Sequence, residues 1–173
     1  VRYDPILLNS KYNVDYHVRA FNKLCTMLKG YVFKMIVSFV DDYKNVRNNH
    51  LDYHEPSNEE YLKLKEEFEK NNIKIISCME NKYQIGDEKD CCVSIKYAFE
   101  RTGKLFKEWK ARDCHCVNMV DVGAYNSCLH GCKYCYANFD SKQIVSNYKM
   151  HDVNSSLLIG QLNLDDQIKI RRK

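Results

Sequence analysis

The sequence predicts an α/β fold: a parallel sheet followed by a cysteine-rich, mostly irregular C-terminal region. Three observations carry that prediction. The apolar runs 31–40 and 73–78 lack clean alternation, as strands covered on both faces do. Segments with helical periodicity fill the intervals between candidate strands, which is the pattern of βαβ units. Seven of the nine cysteines fall between positions 91 and 135, where that regular pattern degrades. We therefore place βα units in residues 1–80 and a metal-binding region of the same domain in residues 81–173.

Taken in order, Val1 to Leu8 reads as a strand end and loop, with Pro5 limiting the strand at Asp4. A strand already under way at Val1 leads us to expect that the chain is the C-terminal part of a longer protein. Val14, Val18, Phe21, Leu24, Cys25 and Leu28 recur at three and four residues and predict a helix, capped by Asn13 or Asp15 and stopped by Gly30. Cys25 lies on its apolar stripe and reads as a packed thiol. Tyr31 to Val40 is a strand that ends in Asp41, and 44–57 reads as a polar loop. Ser57 and Glu60 have capping-box spacing for a helix that runs to about Asn71. Ile73 to Cys78 is the next strand. Beyond Met79 we expect helices at Cys92–Ala98 and Thr102–Ala111, a short strand at Met119–Val122, a helical turn at Tyr134–Phe139 and a short closing element at Asp165–Lys169.

Composition bounds the function. The chain has 173 residues, 45% hydrophobic and 29% charged, with a net charge of +4 from 27 basic and 23 acidic side chains. That excess is small and mixed, so nucleic acid is not favoured as a partner, and Lys169, Arg171, Arg172 and Lys173 read as a solvated tail. No stretch resembles a signal peptide or a membrane span. Nine cysteines, clustered and odd in number, fit a reducing cytoplasmic setting with a metal site better than an evenly stapled secreted domain.

The chemistry concentrates in Cys128-Leu129-His130-Gly131-Cys132-Lys133-Tyr134-Cys135, a C-x3-C-x2-C run. Thiolates are soft ligands that suit iron–sulfur clusters and zinc. Three in so short a loop can converge on one centre and leave a further ligand position open. Gly131 permits a tight wrap, and Tyr134 is placed to shield the centre from solvent. Zinc, or three reduced thiols, is the alternative. Cys114 and Cys116 form a C-x-C pair twelve residues upstream of Cys128. They are candidate ligands of the same metal or a second one, or a redox pair. Asn126 and Asn138 flank the loop and are expected to hydrogen-bond its backbone. Arg2 and Asp4 on the first strand, and Asp41 at the end of the next, are candidate catalytic groups, with helix capping or mutual ion pairing as the plainer role.

The C-x3-C-x2-C spacing, with an aromatic before its last cysteine, resembles the radical S-adenosylmethionine motif. That resemblance implies a 4Fe-4S cluster on Cys128, Cys132 and Cys135, S-adenosyl-L-methionine on the fourth iron, an electron donor such as a flavodoxin or ferredoxin, and an unknown substrate. The segments Arg2-Tyr3-Asp4-Pro5-Ile6-Leu7-Leu8, Ser38-Phe39-Val40-Asp41, Gly123-Ala124-Tyr125-Asn126, Tyr134-Cys135-Tyr136-Ala137-Asn138 and His151-Asp152 with Asn154-Ser155 resemble a bacterial domain-of-unknown-function family described as radical SAM-like. The resemblance spans essentially the whole chain, as the C-terminal portion of that family. It implies a partial (β/α) barrel-like fold whose first strands are missing, with the cluster motif unusually near the C-terminus. It departs from the family at Val153 and Ser156, where proline is usual, and is weak over 80–113.

Overall fold

Burial alternates along the central strand, and that alternation sets the architecture. In the computed structural model, which describes residues 1–80, 82–88, 90–110 and 114–169, three strands form one parallel sheet. They are β1 (Arg2–Ile6), β2 (Lys34–Phe39) and β3 (Lys74–Ser77), in that spatial order. Met35, Val37 and Phe39 of β2 are buried on one face, while Ile36 and Ser38 on the other are half-buried. The sheet is small and open. The α/β, parallel part of the expectation holds, and among the described residues the three strands do not close into a barrel.

The core face is covered by α1 (Val14–Met27) and α3 (Asn58–Glu69), which the sequence anticipates closely. Asn13 caps α1 by accepting from the Tyr16 N–H, and Ser57 with Glu60 forms the full capping box of α3. Phe21 of α1 and Phe68 of α3 stack with centroids 3.9 Å apart and planes 5° apart, both fully buried. Each contributes about 1.5–3 kcal/mol by leaving water. Tyr3 of β1 meets both rings edge-on, and its hydroxyl lies 2.8 Å from His17 Nδ1. The other ring nitrogen, Nε2, is 2.8 Å from the Leu7 carbonyl, which can only accept. His17 is therefore a neutral Nε2–H tautomer that accepts from Tyr3, and burial lowers its pKa accordingly. Cys25 packs half-buried against this core.

Strand β1 continues past Asp4 to Ile6, with a register irregularity between Tyr3 and Ile6 that accommodates Pro5. Lys34, on the sheet face opposite Met35, is 6% exposed. Its ammonium bonds Asp90 at 3.1 Å and the Cys91 carbonyl at 2.7 Å, which compensates its desolvation and draws the segment after β3 onto that face.

Several expectations are corrected. The loop 44–57 begins with a helix, α2 (Lys44–Asn48), whose five residues lack a side-chain cap. The pair of helices around Gly103 is a single helix, α4 (Ile95–Thr102), ended by Gly103 in the left-handed conformation. Residues 103–110 run irregularly, with Glu108 bridging Val117, and Ala111 lies outside the described residues. Residues 119–122 form no strand, 134–139 form turns and bends, and 165–169 contain only a turn. A helix the sequence reading missed, α5 (Ser141–Lys149), follows, capped by Asp140. The tail residues Arg171, Arg172 and Lys173 lie outside the described residues. Contacts divide the chain into two units, 1–41 with 52–120, and 42–51 with 121–173.

Gly86 is the most constrained turn of the first unit. Its φ is +81°, and a Cβ there would overlap the Ile75 carbonyl of β3. Gly86→Ala will cost more than the about 1–2 kcal/mol of a left-handed alanine alone. Gly103→Ala, at φ +67° with open space around it, will cost only that backbone strain. Urea midpoints of the two variants decide the order.

Candidate functional site

The C-x3-C-x2-C loop belongs to the second unit, and its backbone is irregular. Such a loop must find donors for its carbonyls outside any helix or strand. Asparagine side chains supply them. Asn45 of α2 is 8% exposed, and its Nδ2 donates to the carbonyls of Cys135 at 3.0 Å and of Tyr136 and Asn138 at 3.3 Å. Asn49, the C-cap of α2, donates to the Lys133 carbonyl at 3.1 Å. Asn138 donates to the Cys128 carbonyl at 2.6 Å. The short helix α2 thus carries two amide donors to one loop.

Asn126 holds the loop's other end. It is 1% exposed and adopts φ +54°. Asparagine tolerates that region better than most residues. Its backbone N–H donates to the Ala137 carbonyl, while its Oδ1 accepts from the N–H groups of Phe139 and Asp140. Its Nδ2 donates to Gln143 at 2.7 Å, and its carbonyl accepts from Asn147 at 3.0 Å. Gln143 and Asn147 are four apart on α5 and so share a face.

Inside this frame Gly131 takes φ +63°, and the Cys135 N–H closes a turn on the Cys132 carbonyl at 3.0 Å. Cys128 and Cys132 are exposed, Cys135 is half-buried, and none is in a disulfide. Tyr134 is exposed as well. Tyr136 sits among neighbouring aromatics, 5.8 Å from Tyr43 and 6.5 Å from Tyr125 by ring centroids. Among the described residues no three His, Cys, Asp or Glu side chains are arranged to hold a metal ion. The donor chemistry of the loop still fits a soft metal centre: three free cysteines, two exposed and one half-buried, with the backbone bonding assigned to amides instead.

Cys114 and Cys116 lie in the first unit, with Cys78, Cys91 and Cys92, around a cavity of about 200 Å³. Arg2 and Asp4 are found beside the same thiols. Arg2 pairs with Asp4 at 2.7 Å, and its Nη1 lies 3.6 Å from Cys92 Sγ. Ser38 also donates to Asp4. Asp41 is exposed, and its charge adds to the desolvation that raises the Glu80 carboxyl to about 7. Cys78, Cys91, Cys92 and Glu80 are not among the candidate site residues that the sequence marks out. The family model described as Domain of unknown function (DUF1848) matches residues 1–137.

The chain belongs to this family. The DUF1848 match runs through the first unit and the whole cysteine loop, so the resemblance read from the sequence stands at the level of the family. The family description names no activity. No curated protein and no solved structure matches the chain. No helix among its described residues is long and apolar enough to cross a membrane.

Two predictions follow from these contacts. Asn45→Ala and Asn126→Ala each leave loop backbone groups without a side-chain partner, at about 1–3 kcal/mol. Hydrogen exchange at the Cys135 and Phe139 amides will accelerate in both, while amides of β2 stay protected. Glu80 is protonated more readily folded than unfolded, so its stabilising contribution is complete below about 4.5 and is lost as pH rises through about 7. Glu80→Gln keeps the oxygen that accepts from the Phe39 N–H and removes the titration. The drop in urea midpoint between about pH 4.5 and pH 7 will therefore be smaller in Glu80→Gln than in the parent chain.

Proposed function

We propose that this DUF1848 chain is a radical SAM-type iron–sulfur protein whose 4Fe-4S cluster is held by Cys128, Cys132 and Cys135. The observation that supports this reading most is a three-thiol loop whose backbone is braced by asparagine amides while Cys128 and Cys132 stay exposed and Cys135 half-buried. Such a cluster, when bound, supplies one electron to the sulfonium of S-adenosyl-L-methionine and yields a 5′-deoxyadenosyl radical that takes hydrogen from a substrate.

The chain's own contribution is ligation and positioning. Three cysteines against the usual four would leave one iron of such a cluster without a protein thiolate, open to the cofactor. Asn45, Asn49 and Asn138 fix the carbonyls of the loop, which limits the rearrangement needed when the thiols lose their protons and close on iron. Asn126 fixes the approach to Cys128 and the exit after Ala137. Tyr136, Tyr125 and Phe139 place aromatic surface beside the loop, which lowers the polarity around a cluster. The substrate, and the low-potential donor of the flavodoxin or ferredoxin type that this chemistry requires, are part of the proposal.

Anaerobic reconstitution with iron and sulfide tests it. The expected result is a brown protein with charge-transfer absorbance at roughly 400 nm and about four irons per chain. Cys132→Ala will lose both, and Asn45→Ala will load more slowly. Dithionite with S-adenosyl-L-methionine will then give 5′-deoxyadenosine. Full iron content in Cys132→Ala removes the ligand assignment. Stoichiometric zinc without iron makes the loop a structural zinc module, and a cluster that never cleaves the sulfonium makes it an electron-transfer protein.

A further inference from the structure

Five cysteines meet at one cavity of the first unit, and the cluster assignment to Cys128, Cys132 and Cys135 uses none of them. Cys78 follows β3 directly, and its N–H continues the sheet by donating to the Val37 carbonyl at 2.9 Å. The thiols of Cys78 and Cys92 are in hydrogen-bond contact, and the Arg2 guanidinium reaches both sulfurs. Cys91 turns the other way, donating to the His115 carbonyl at 3.0 Å and lying against Cys116. Adjacent residues thus send their sulfurs to different partners, and Cys78 with Cys92 is the pair that carries a fixed cation. Both of its thiols are half-buried at the wall of the cavity.

We propose that Cys78 and Cys92 form a redox-active dithiol that exchanges with small disulfides entering this cavity, Cys78 as the attacking sulfur and Cys92 as the resolving one. Two features divide the roles. The hydrogen bond from Cys92 and the contact with Arg2 stabilise a Cys78 thiolate against the cost of burial, lowering that thiol to about 6. The same hydrogen bond, together with burial, keeps Cys92 protonated. Asp4, paired with Arg2 and bonded by Ser38, orients the guanidinium.

The exchange balances without a metal. The Cys78 thiolate attacks one sulfur of a disulfide R–S–S–R, forming a mixed disulfide and releasing one RS⁻. Cys92 loses its proton to solvent and attacks the Cys78 sulfur, closing the Cys78–Cys92 disulfide and releasing the second RS⁻. Two electrons pass from the dithiol to the disulfide, and one proton is released. A dithiol reductant reverses the sequence.

The test uses the full chain, purified reduced and metal-free, with 2-hydroxyethyl disulfide as the probe, followed by alkylation and peptide mapping. The expected product is a Cys78–Cys92 cross-linked peptide that dithiothreitol reverses. Cys92→Ser will stop at a mixed disulfide on Cys78, and Cys78→Ser will leave Cys92 alkylatable. Arg2→Gln will slow alkylation of Cys78 near neutral pH by about 10-fold, as loss of a thiolate-stabilising cation does, and alkylation of the parent chain will be half-maximal near pH 6. A cross-link elsewhere among the five thiols, or none in the parent chain, overturns the proposal. So does iron or zinc that the natively purified chain holds through Cys78 and Cys92. The parent-chain map stands even where a variant misfolds. It is also indifferent to Cys132→Ala, so failure of the cluster assignment leaves this result unchanged.

Discussion

Peptide carbonyls between Cys128 and Asn138 have no ladder to bond into, and the second unit is organised around supplying them with donors. The thiols cannot serve, because a thiol that hydrogen-bonds its own loop must break that bond before it can ligate. Charged side chains would serve poorly, because a cation beside the loop would hold the thiolates in ion pairs and compete with a metal. The amide of asparagine is neutral, short and a double donor, and Asn45, Asn49 and Asn138 use it on carbonyls of this loop. Asn126 uses the other half of the group, the oxygen, to accept the N–H groups of Phe139 and Asp140. A neutral scaffold fixes the backbone and leaves the electrostatics of the sulfurs to whatever binds them.

Legibility in the sequence followed the origin of each element's stability. Helices α1 and α3 and strands β2 and β3 bury periodic apolar faces, and their caps are local, so residues 13–39 and 57–78 are read nearly as they fold. Helix α2 is five residues long and exists for two amides that meet a loop about 85 positions away in sequence; nothing periodic marks it. Helix α5 buries only Asn147 outright, so its apolar pattern is thin, although Asp140 as its N-cap was a readable signal. The supposed helix through Leu105 and Trp109 failed for a local reason. Gly103 turns left-handed and ends α4, and Leu105 then stands 85% exposed. The barrel expectation came from resemblance, and the three strands present do not close a barrel by themselves.

The candidate site was legible in part for the same reason. A C-x3-C-x2-C loop is contiguous, and so are Asn126 and Asn138 beside it, which made their bonding to the loop a natural expectation. Arg2 and Cys78 are brought together by the parallel pairing of β1, β2 and β3, and Cys92 reaches them from the segment that Lys34 anchors through Asp90 and the Cys91 carbonyl. Adjacent thiols such as Cys91 and Cys92 do not ligate one ion comfortably, and their sulfurs diverge to different partners. What adjacency could not reveal is that divergence gives each thiol a partner of its own.

The two groups of thiols answer opposite demands on the proton. A metal loop works when its thiols lose protons together as the ion arrives, so equivalent, accessible sulfurs without a fixed cation are favourable: bound early, a cation would be a competitor for the same charge. Thiol–disulfide exchange requires asymmetry, one sulfur ionised to attack and one protonated until the mixed disulfide has formed. A guanidinium, itself half exposed, shared between two half-buried thiols produces that asymmetry, because the pair can hold only one negative charge at low cost and the hydrogen bond fixes where it sits. On the two proposals, the position of Arg2, beside Cys78 and Cys92 in the first unit, is the feature that would separate a site for electron-pair exchange between sulfurs from a site for metal.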